Sequence, residues 1–120
     1  MGKILLVEDT PANLALATKI LRAAGHEVLT AETGVAGIGL ARESLPDLVM
    51  MDLGLPDIDG WAAIAAIRAD AATRALRVVA FTAHAMAGDR ERALAGGFDG
   101  YLSKPIDYET FADSVAGFLP

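Results

Sequence analysis

The sequence has no cysteine and only two histidines, His26 and His84. The missing cysteine excludes disulfide bonds and thiolate chemistry, and two histidines are too few for a histidine-based metal site. No apolar stretch approaches the roughly 20 residues that span a bilayer. The apolar start, residues 3–7, is too short for a secretory signal and leads directly into acidic residues. We therefore expect a cytoplasmic protein with no membrane partner.

Positive charge is also scarce. Lysine and arginine together number 10, against 16 aspartates and glutamates, which gives a formal net charge of −6. Such a chain repels the phosphates of nucleic acids, so we expect no binding of DNA or RNA. The 120 residues, 53% of them hydrophobic, suffice for one core but not for two. We expect one domain over residues 1–120, monomeric or weakly dimeric, with no room for a separate output domain.

Short aliphatic runs alternate with longer helical patterns along the chain. The runs at 48–51 and 78–81 are continuously apolar, as expected of central parallel strands that are buried on both faces. The alternation predicts an α/β fold, with helices on both faces of a doubly wound five-stranded parallel sheet and right-handed crossovers. The predicted strands are Lys3–Val7, Glu27–Ala31, Asp47–Met51, Arg77–Phe81 and Gly100–Leu102.

Capping residues mark the expected helix ends. Thr10 is placed to cap the first helix, Pro11 to occupy its first position, and Gly25 to end it. Asp57 and Asp59, in the loop before the third helix, are typical turn and cap residues. The caps of the second, third and last helices are expected at Thr33, Asp59 and Asp107.

The residues at the strand ends carry the chemical signal. In an open parallel sheet, ligands bind outside the carboxyl ends of the strands. The first predicted strand ends in Glu8-Asp9, the third in Asp52 and the fourth in Thr82, and Lys104 follows the fifth. Each residue alone is ordinary for a turn, a strand or a surface. Their occurrence at four strand ends is much less expected by chance, and neighbouring strands would bring them together.

Three carboxylates beside one ammonium suit a particular reaction. Close carboxylates repel one another and raise one another's pKa values, and a hard divalent cation relieves that repulsion. Mg²⁺ takes one or two protein carboxylates and accepts a phosphate oxygen. A carboxylate can also act as a nucleophile and form an acyl phosphate, whose oxygens a metal, a lysine and a hydroxyl would neutralise. The pattern therefore indicates phosphoryl transfer with Mg²⁺ as cofactor.

With these residues in place, the chain resembles the receiver domain of two-component response regulators over essentially its whole length. Residues 82–106 are most similar to single-domain regulators and to receivers attached to hybrid kinases. The resemblance implies a flavodoxin-like (βα)5 fold with strand order 2-1-3-4-5. The matching features are Glu8-Asp9, the apolar run from Asp47 to Asp52, Leu55-Pro56, Gly60, Thr82-Ala83 and Lys104-Pro105.

The resemblance also implies roles for individual residues. Asp52 matches the phosphoacceptor, Asp9 the direct Mg²⁺ ligand, and Glu8 a residue that acts mainly through metal-bound water. Gly54 matches the position whose backbone carbonyl completes the metal site. Gly54 has no side chain, and His84 occupies another variable position beside the site, so the lifetime of the phosphorylated state is left open.

The remaining implied roles concern signalling. Thr82 matches the hydroxyl that follows the phosphoryl group, Lys104 the lysine of the site, and Tyr101 an aromatic switch. The Lys104–Pro105 peptide bond is expected to be cis. The phosphodonor would be a sensor histidine kinase or a histidine phosphotransfer protein. A downstream protein would bind the output surface, which we define as Ala87–Gly96 in the fourth helix, Tyr101 in the fifth strand and Asp107–Phe118 in the fifth helix.

Two other functions would use some of the same residues as a signalling module. A metal-dependent phosphohydrolase using Asp52 would need a general acid and a cap domain; one such class carries Asp two residues later, where this chain has Gly54. A flavin-mononucleotide binder would need a phosphate loop after the first strand, where Glu8-Asp9 would repel the phosphate. The glycines of residues 34–39 lack the spacing of a nucleotide-binding loop and favour close helix packing instead.

Overall fold

The computed structural model describes residues 2–82 and 88–119. Ala83, His84 and Ala87, which entered the sequence predictions, lie outside the described residues. Strands and helices alternate from the first element to the last. Their bounds are β1 Lys3–Val7, α1 Pro11–Ala23, β2 Glu27–Ala31, α2 Gly34–Ser44, β3 Leu48–Met51, α3 Gly60–Ala69, β4 Val78–Thr82, α4 Asp89–Ala95, β5 Gly100–Ser103 and α5 Phe111–Ala116.

The strands form one parallel sheet in the order β2-β1-β3-β4-β5, which confirms the predicted fold class. β1 and β2 have the predicted bounds, whereas β3 begins one residue late, β4 is shifted by one residue and β5 is one residue longer. The strand order reverses between β1 and β3, which both continue into the acidic residues. This is the position at which doubly wound sheets bind ligands.

Two apolar layers cover the sheet, one on each face. Alternate β1 residues point into different layers, so Ile4 and Leu6 pack with α1 and α5, whereas Leu5 and Val7 pack with α2, α3 and α4. All residues of β3 and β4 are buried, because helices cover the centre of the sheet on both sides. Among the described residues we find no helix with the length and apolarity of a membrane span.

Glycine brings α2 close to the sheet and to the loop after β3. A Cβ built on Gly37 would lie 2.6 Å from Cγ2 of Val7, and one built on Gly34 would lie 2.5 Å from Cγ1 of Ile58. Both distances are shorter than real Cβ contacts, so larger residues at these positions would force the helix outward. Close packing is therefore the role of these two glycines, as the sequence predicted.

Four of the five predicted caps occupy the expected positions. Thr33 and Asp59 accept hydrogen bonds from the backbone N–H groups of residues 36 and 62. Thr10 is the N-cap residue of α1 but makes no side-chain capping bond, and Gly25 follows that helix at φ +94°.

The prediction for Asp107 was wrong, because α5 begins at Phe111 with Thr110 as N-cap residue. The Asp107 carboxylate accepts a hydrogen bond from the N–H of Glu109, two residues on, at 3.0 Å. This bond stabilises a turn rather than a helix, and the turn delays the start of α5.

Candidate functional site

The acidic residues meet at the carboxyl ends of β1 and β3. Parallel pairing aligns Val7 with Met51, and the N–H of Asp52 donates to the carbonyl of Val7 at 3.0 Å. The two strands therefore end side by side, and each continues into a carboxylate. One oxygen from each of Glu8, Asp9 and Asp52 lies within 4.8 Å of the others. The structure thus brings together the three carboxylates that the sequence predicted as neighbours.

Lys104 bridges two of these carboxylates from the end of β5. Its Nζ lies 2.7 Å and 2.9 Å from the two carboxylate oxygens of Glu8 and 3.2 Å from Oδ2 of Asp52. The side chains are almost fully enclosed, with 8% of Lys104, none of Glu8 and 10% of Asp52 exposed. Charge-assisted hydrogen bonds are strong in such surroundings. The Lys104–Pro105 peptide bond is cis, as expected.

Burial and neighbouring groups determine the protonation of the Glu8 and Asp52 carboxyls. Burial, together with the neighbouring Asp52 carboxylate, raises the pKa of Glu8 to about 7, although the ammonium of Lys104 and the amide of Asn13 act in the opposite direction. Burial alone would also raise the pKa of Asp52, but hydrogen bonds from Glu8, the Gly54 N–H and Lys104 lower it below its usual value. Asp52 therefore loses its proton at a lower pH than Glu8 and is ionised at neutral pH.

Two contacts of the site were not predicted from the sequence. The Asn13 side chain, in the first turn of α1, donates to Oε1 of Glu8 at 3.0 Å. Nζ of Lys104 lies 5.0 Å from the centroid of the Phe81 ring, within range of a cation–π attraction. Asn13 lies one helical turn before the buried Ala17. A polar residue on a buried helix face was therefore the sequence signal that could have indicated a contact of Asn13 with the site. Nothing in the local pattern distinguishes Phe81 from other core residues.

The other candidate residues surround this centre. Thr82 is buried at the end of β4, and its carbonyl accepts from the N–H of Lys104 at 2.8 Å. Gly54 is exposed, and its N–H donates to Oδ1 of Asp52 at 3.0 Å. Tyr101 is half-buried in β5 and packs on the core layer that contains α3 and α4. Thr82 and Gly54 thus adjoin the acidic centre, and Tyr101 lies in the strand that leads to Lys104.

The donor set fits a hard cation. The cluster offers carboxylate oxygens from three residues and contains one ammonium group, so its formal charge is negative. Oxygen ligands of this kind are those that Mg²⁺ prefers. A cation at this place would relieve the repulsion between Glu8 and Asp52, which adds to the effect of burial on the pKa of Glu8. Asp52 would offer its other oxygen to an electrophile.

Comparisons with known proteins agree with this geometry. A family model described as the response regulator receiver domain matches residues 4–116. The polar-differentiation response regulator DivK of Brucella ovis is 36% identical over 116 residues, which cover 97% of this chain and 94% of DivK.

Solved structures are similar over the whole fold. The chemotaxis response regulator CheY4 of Vibrio cholerae is 25% identical, with a TM-score of 0.91 and 99% of each chain covered. The receiver domain of the sensor histidine kinase PA1611 from Pseudomonas aeruginosa PAO1 is 34% identical, with a TM-score of 0.87 over 98% of this chain and 96% of that one. That structure has a magnesium ion coordinated in the active site cleft.

Proposed function

The chain belongs to the response regulator receiver family, the phosphoacceptor switches of two-component signalling, and we propose that Asp52 accepts the phosphoryl group here. The donor is a phosphohistidine on a sensor histidine kinase or a histidine phosphotransfer protein. The metal site comprises Glu8, Asp9 and Asp52, together with the backbone carbonyl of Gly54.

One observation carries this proposal: Asp52 lies together with the buried carboxylate of Glu8, the more accessible carboxylate of Asp9 and the ammonium of Lys104. The pKa of Asp52 is lowered although burial opposes ionisation, so the nucleophilic form is present at neutral pH. Lys104 and the Gly54 N–H contact different oxygens of this carboxylate, and these contacts fix its orientation. Such preorganisation is the main protein contribution to phosphoryl transfer.

The transfer step follows from this arrangement. A carboxylate oxygen of Asp52 forms a bond to phosphorus while the bond from phosphorus to the donor imidazole breaks, and the electron pair stays on the imidazole nitrogen. Lys104 neutralises charge on the transferred group, and the Thr82 hydroxyl donates to one of its oxygens. Bound Mg²⁺ supplies further charge neutralisation. Later hydrolysis of the acyl phosphate restores the carboxylate and resets the switch.

The signal leaves through the output surface formed by α4, Tyr101 and α5. Movement of Thr82 toward the phosphoryl group makes space into which the Tyr101 ring turns, and the surface changes shape. The phosphoryl group need only bias two existing states by a few kcal/mol. We propose that a downstream protein recognises this change, in the cytoplasm, where ATP-dependent kinases supply the phosphoryl group. A monomer or weak dimer suffices for this role.

Acetyl phosphate tests the assignment without the unknown kinase. Incubation with Mg²⁺ should add one phosphate to the wild-type protein, detected by mass spectrometry of the intact chain. Asp52→Asn and Asp9→Ala should abolish this addition, as should EDTA. Asp47→Asn is the matched control, since Asp47 is exposed and precedes β3 rather than following it. Labelling of the Asp52→Asn variant at the wild-type level, or labelling that survives EDTA, would show the assignment to be wrong.

A further inference from the structure

The loop between β3 and α3, residues 52–59, is bound to α2 through one carboxylate. Oδ1 of Asp57 accepts from the N–H of Gly34 at 2.8 Å, and Oδ2 accepts from the N–H of Val35 at 2.9 Å. These two N–H groups belong to the first turn of α2, where helical backbone donors have no partner within the helix. The backbone donors also lower the pKa of Asp57. A side chain from a distant loop therefore caps this helix.

The same loop carries Gly54. The Gly54 N–H binds Oδ1 of Asp52, and a Cβ built on Gly54 would lie 3.8 Å from that oxygen. Gly54 is exposed, and no side chain of its own holds it in place. Apart from the hydrogen bond to Asp52, its position therefore depends on how the rest of the loop is anchored.

Two apolar residues and the loop ends provide the other anchors. Leu55 is buried in the core layer under α3, and Ile58 packs against the same layer beside Gly34. At the ends of the loop, the N–H of Gly60 donates to the carbonyl of Leu53 at 3.0 Å. These contacts hold the loop to the core without Asp57, so removal of Asp57 should loosen the loop and leave the fold intact.

We propose that Asp57 is a positioning residue for the metal centre, which holds the loop against α2 and thereby fixes the Gly54 carbonyl where the cation binds. This inference rests on the proposed function, because it takes Gly54 as a ligand. Groups that orient metal ligands without touching the metal typically contribute roughly 10- to 100-fold to metal affinity. We expect a value near the lower limit, roughly tenfold, because Leu55 and Ile58 keep part of the loop in place.

The test titrates the full chain with Mg²⁺ in the absence of a phosphodonor and measures binding from the shifts of amide NMR signals. Asp57→Asn should weaken Mg²⁺ binding roughly tenfold. Two matched controls separate positioning from other effects. Asp59→Asn removes the same charge from the same loop but keeps an oxygen that can accept from the N–H of Ala62 and cap α3. Thr33→Val removes the other side-chain cap of α2 without releasing the loop. Both controls should bind Mg²⁺ within about twofold of wild type.

Two further readouts make the result specific. The amide protons of Gly34 and Val35 should move upfield in the Asp57→Asn variant, because a carboxylate acceptor is lost. In labelling with acetyl phosphate, the Mg²⁺ concentration for half-maximal rate should rise while the rate at saturating Mg²⁺ stays near that of wild type.

The outcomes distinguish this role from the function on which it rests. Equal Mg²⁺ affinity in wild type and Asp57→Asn would overturn the role of Asp57 and leave the proposed function standing. Equal weakening by Asp59→Asn would overturn it as well, since charge rather than positioning would then be the cause. A wild-type protein that fails to bind Mg²⁺ would overturn both proposals.

Discussion

Replacement of Glu8 by glutamine should change how the stability of the protein depends on pH. The pKa of Glu8 is raised from 4.5 to about 7, first by burial and then by the neighbouring Asp52. Below pH 4.5 the carboxyl is protonated in both the folded and the unfolded chain, and above about pH 7 it is ionised in both. Between these values the folded chain binds more protons, so its free energy of unfolding falls as the pH rises.

The size of this effect follows from the two pKa values. The difference between 4.5 and about 7, at about 1.4 kcal/mol for each pH unit, corresponds to about 3 kcal/mol. Glutamine resembles the protonated carboxyl in shape, and its oxygen can accept the hydrogen bonds of Lys104 and Asn13. As the pH rises from about 4.5 to about 8, the Glu8→Gln variant should therefore gain about 3 kcal/mol relative to the wild type.

Urea unfolding in EDTA, repeated at several pH values, measures this gain. A typical slope of about 1–3 kcal/mol per molar urea converts it into a relative midpoint shift of roughly 1–3 M. Glu43→Gln, on the exposed side of α2, controls for the loss of one negative charge. Parallel pH curves for the Glu8→Gln variant and the wild type would refute the argument, because the pKa of Glu8 would then be the same in the folded and the unfolded chain. Added Mg²⁺ should bind less tightly to the wild type below about pH 7, since it must displace the proton.

Four further substitutions test other parts of the structure. Lys104→Met removes the cation that lowers the pKa of Glu8, so that pKa should rise above about 7. A ¹³C NMR titration of the Glu8 carboxyl would detect the rise. An unchanged titration midpoint would mean that Lys104 and Glu8 are not coupled. Gly37→Ala should destabilise the fold by about 1–3 kcal/mol, because the added methyl group collides with β1. Gly39 has open space around it, so Gly39→Ala should stabilise α2 by about 0.5–1 kcal/mol. The opposite order of stabilities in urea unfolding would contradict this description of the packing. Arg68→Met should lower the free energy of unfolding by about 2–3 kcal/mol in the same assay, because the guanidinium donates to three backbone carbonyls and to Asp99. A decrease below about 0.5 kcal/mol would show that water replaces these hydrogen bonds.

The fold could be predicted because its signals are local. The continuously apolar runs that became β3 and β4 predict strands buried on both faces, and their alternation with helical patterns leaves few topologies. Thr33 and Asp59 were predicted as caps because capping depends on residues within three positions. The prediction that Asp107 caps the last helix failed because an aspartate can stabilise a turn as readily as a helix start. The local sequence does not distinguish the two.

The residues that form the site were also predictable, whereas the contacts of Lys104 with the individual carboxylates were not. Parallel strands end at one edge of a sheet, so Glu8, Asp9, Asp52 and Lys104 had to lie near one another once the strand order was known. The order β2-β1-β3-β4-β5 places β1 beside β3, and only the folded chain shows that Lys104 makes its shortest contacts to Glu8 rather than to Asp52. The ammonium therefore contacts both carboxylates, and its contact with Glu8 is the shorter one.

Tertiary structure alone determined the contacts between distant segments. Asp57 caps a helix 22 and 23 residues before it in the sequence, and no local pattern connects the two. Lys104 and Glu8 are separated by 96 residues, yet Lys104 donates to Glu8 in the folded chain and opposes the rise of its pKa. The sequence determined which residues can form strands, caps and charged ends, because these depend on neighbours along the chain. Which of them meet, and which carboxylate stays ionised, depends on packing that only the folded chain provides.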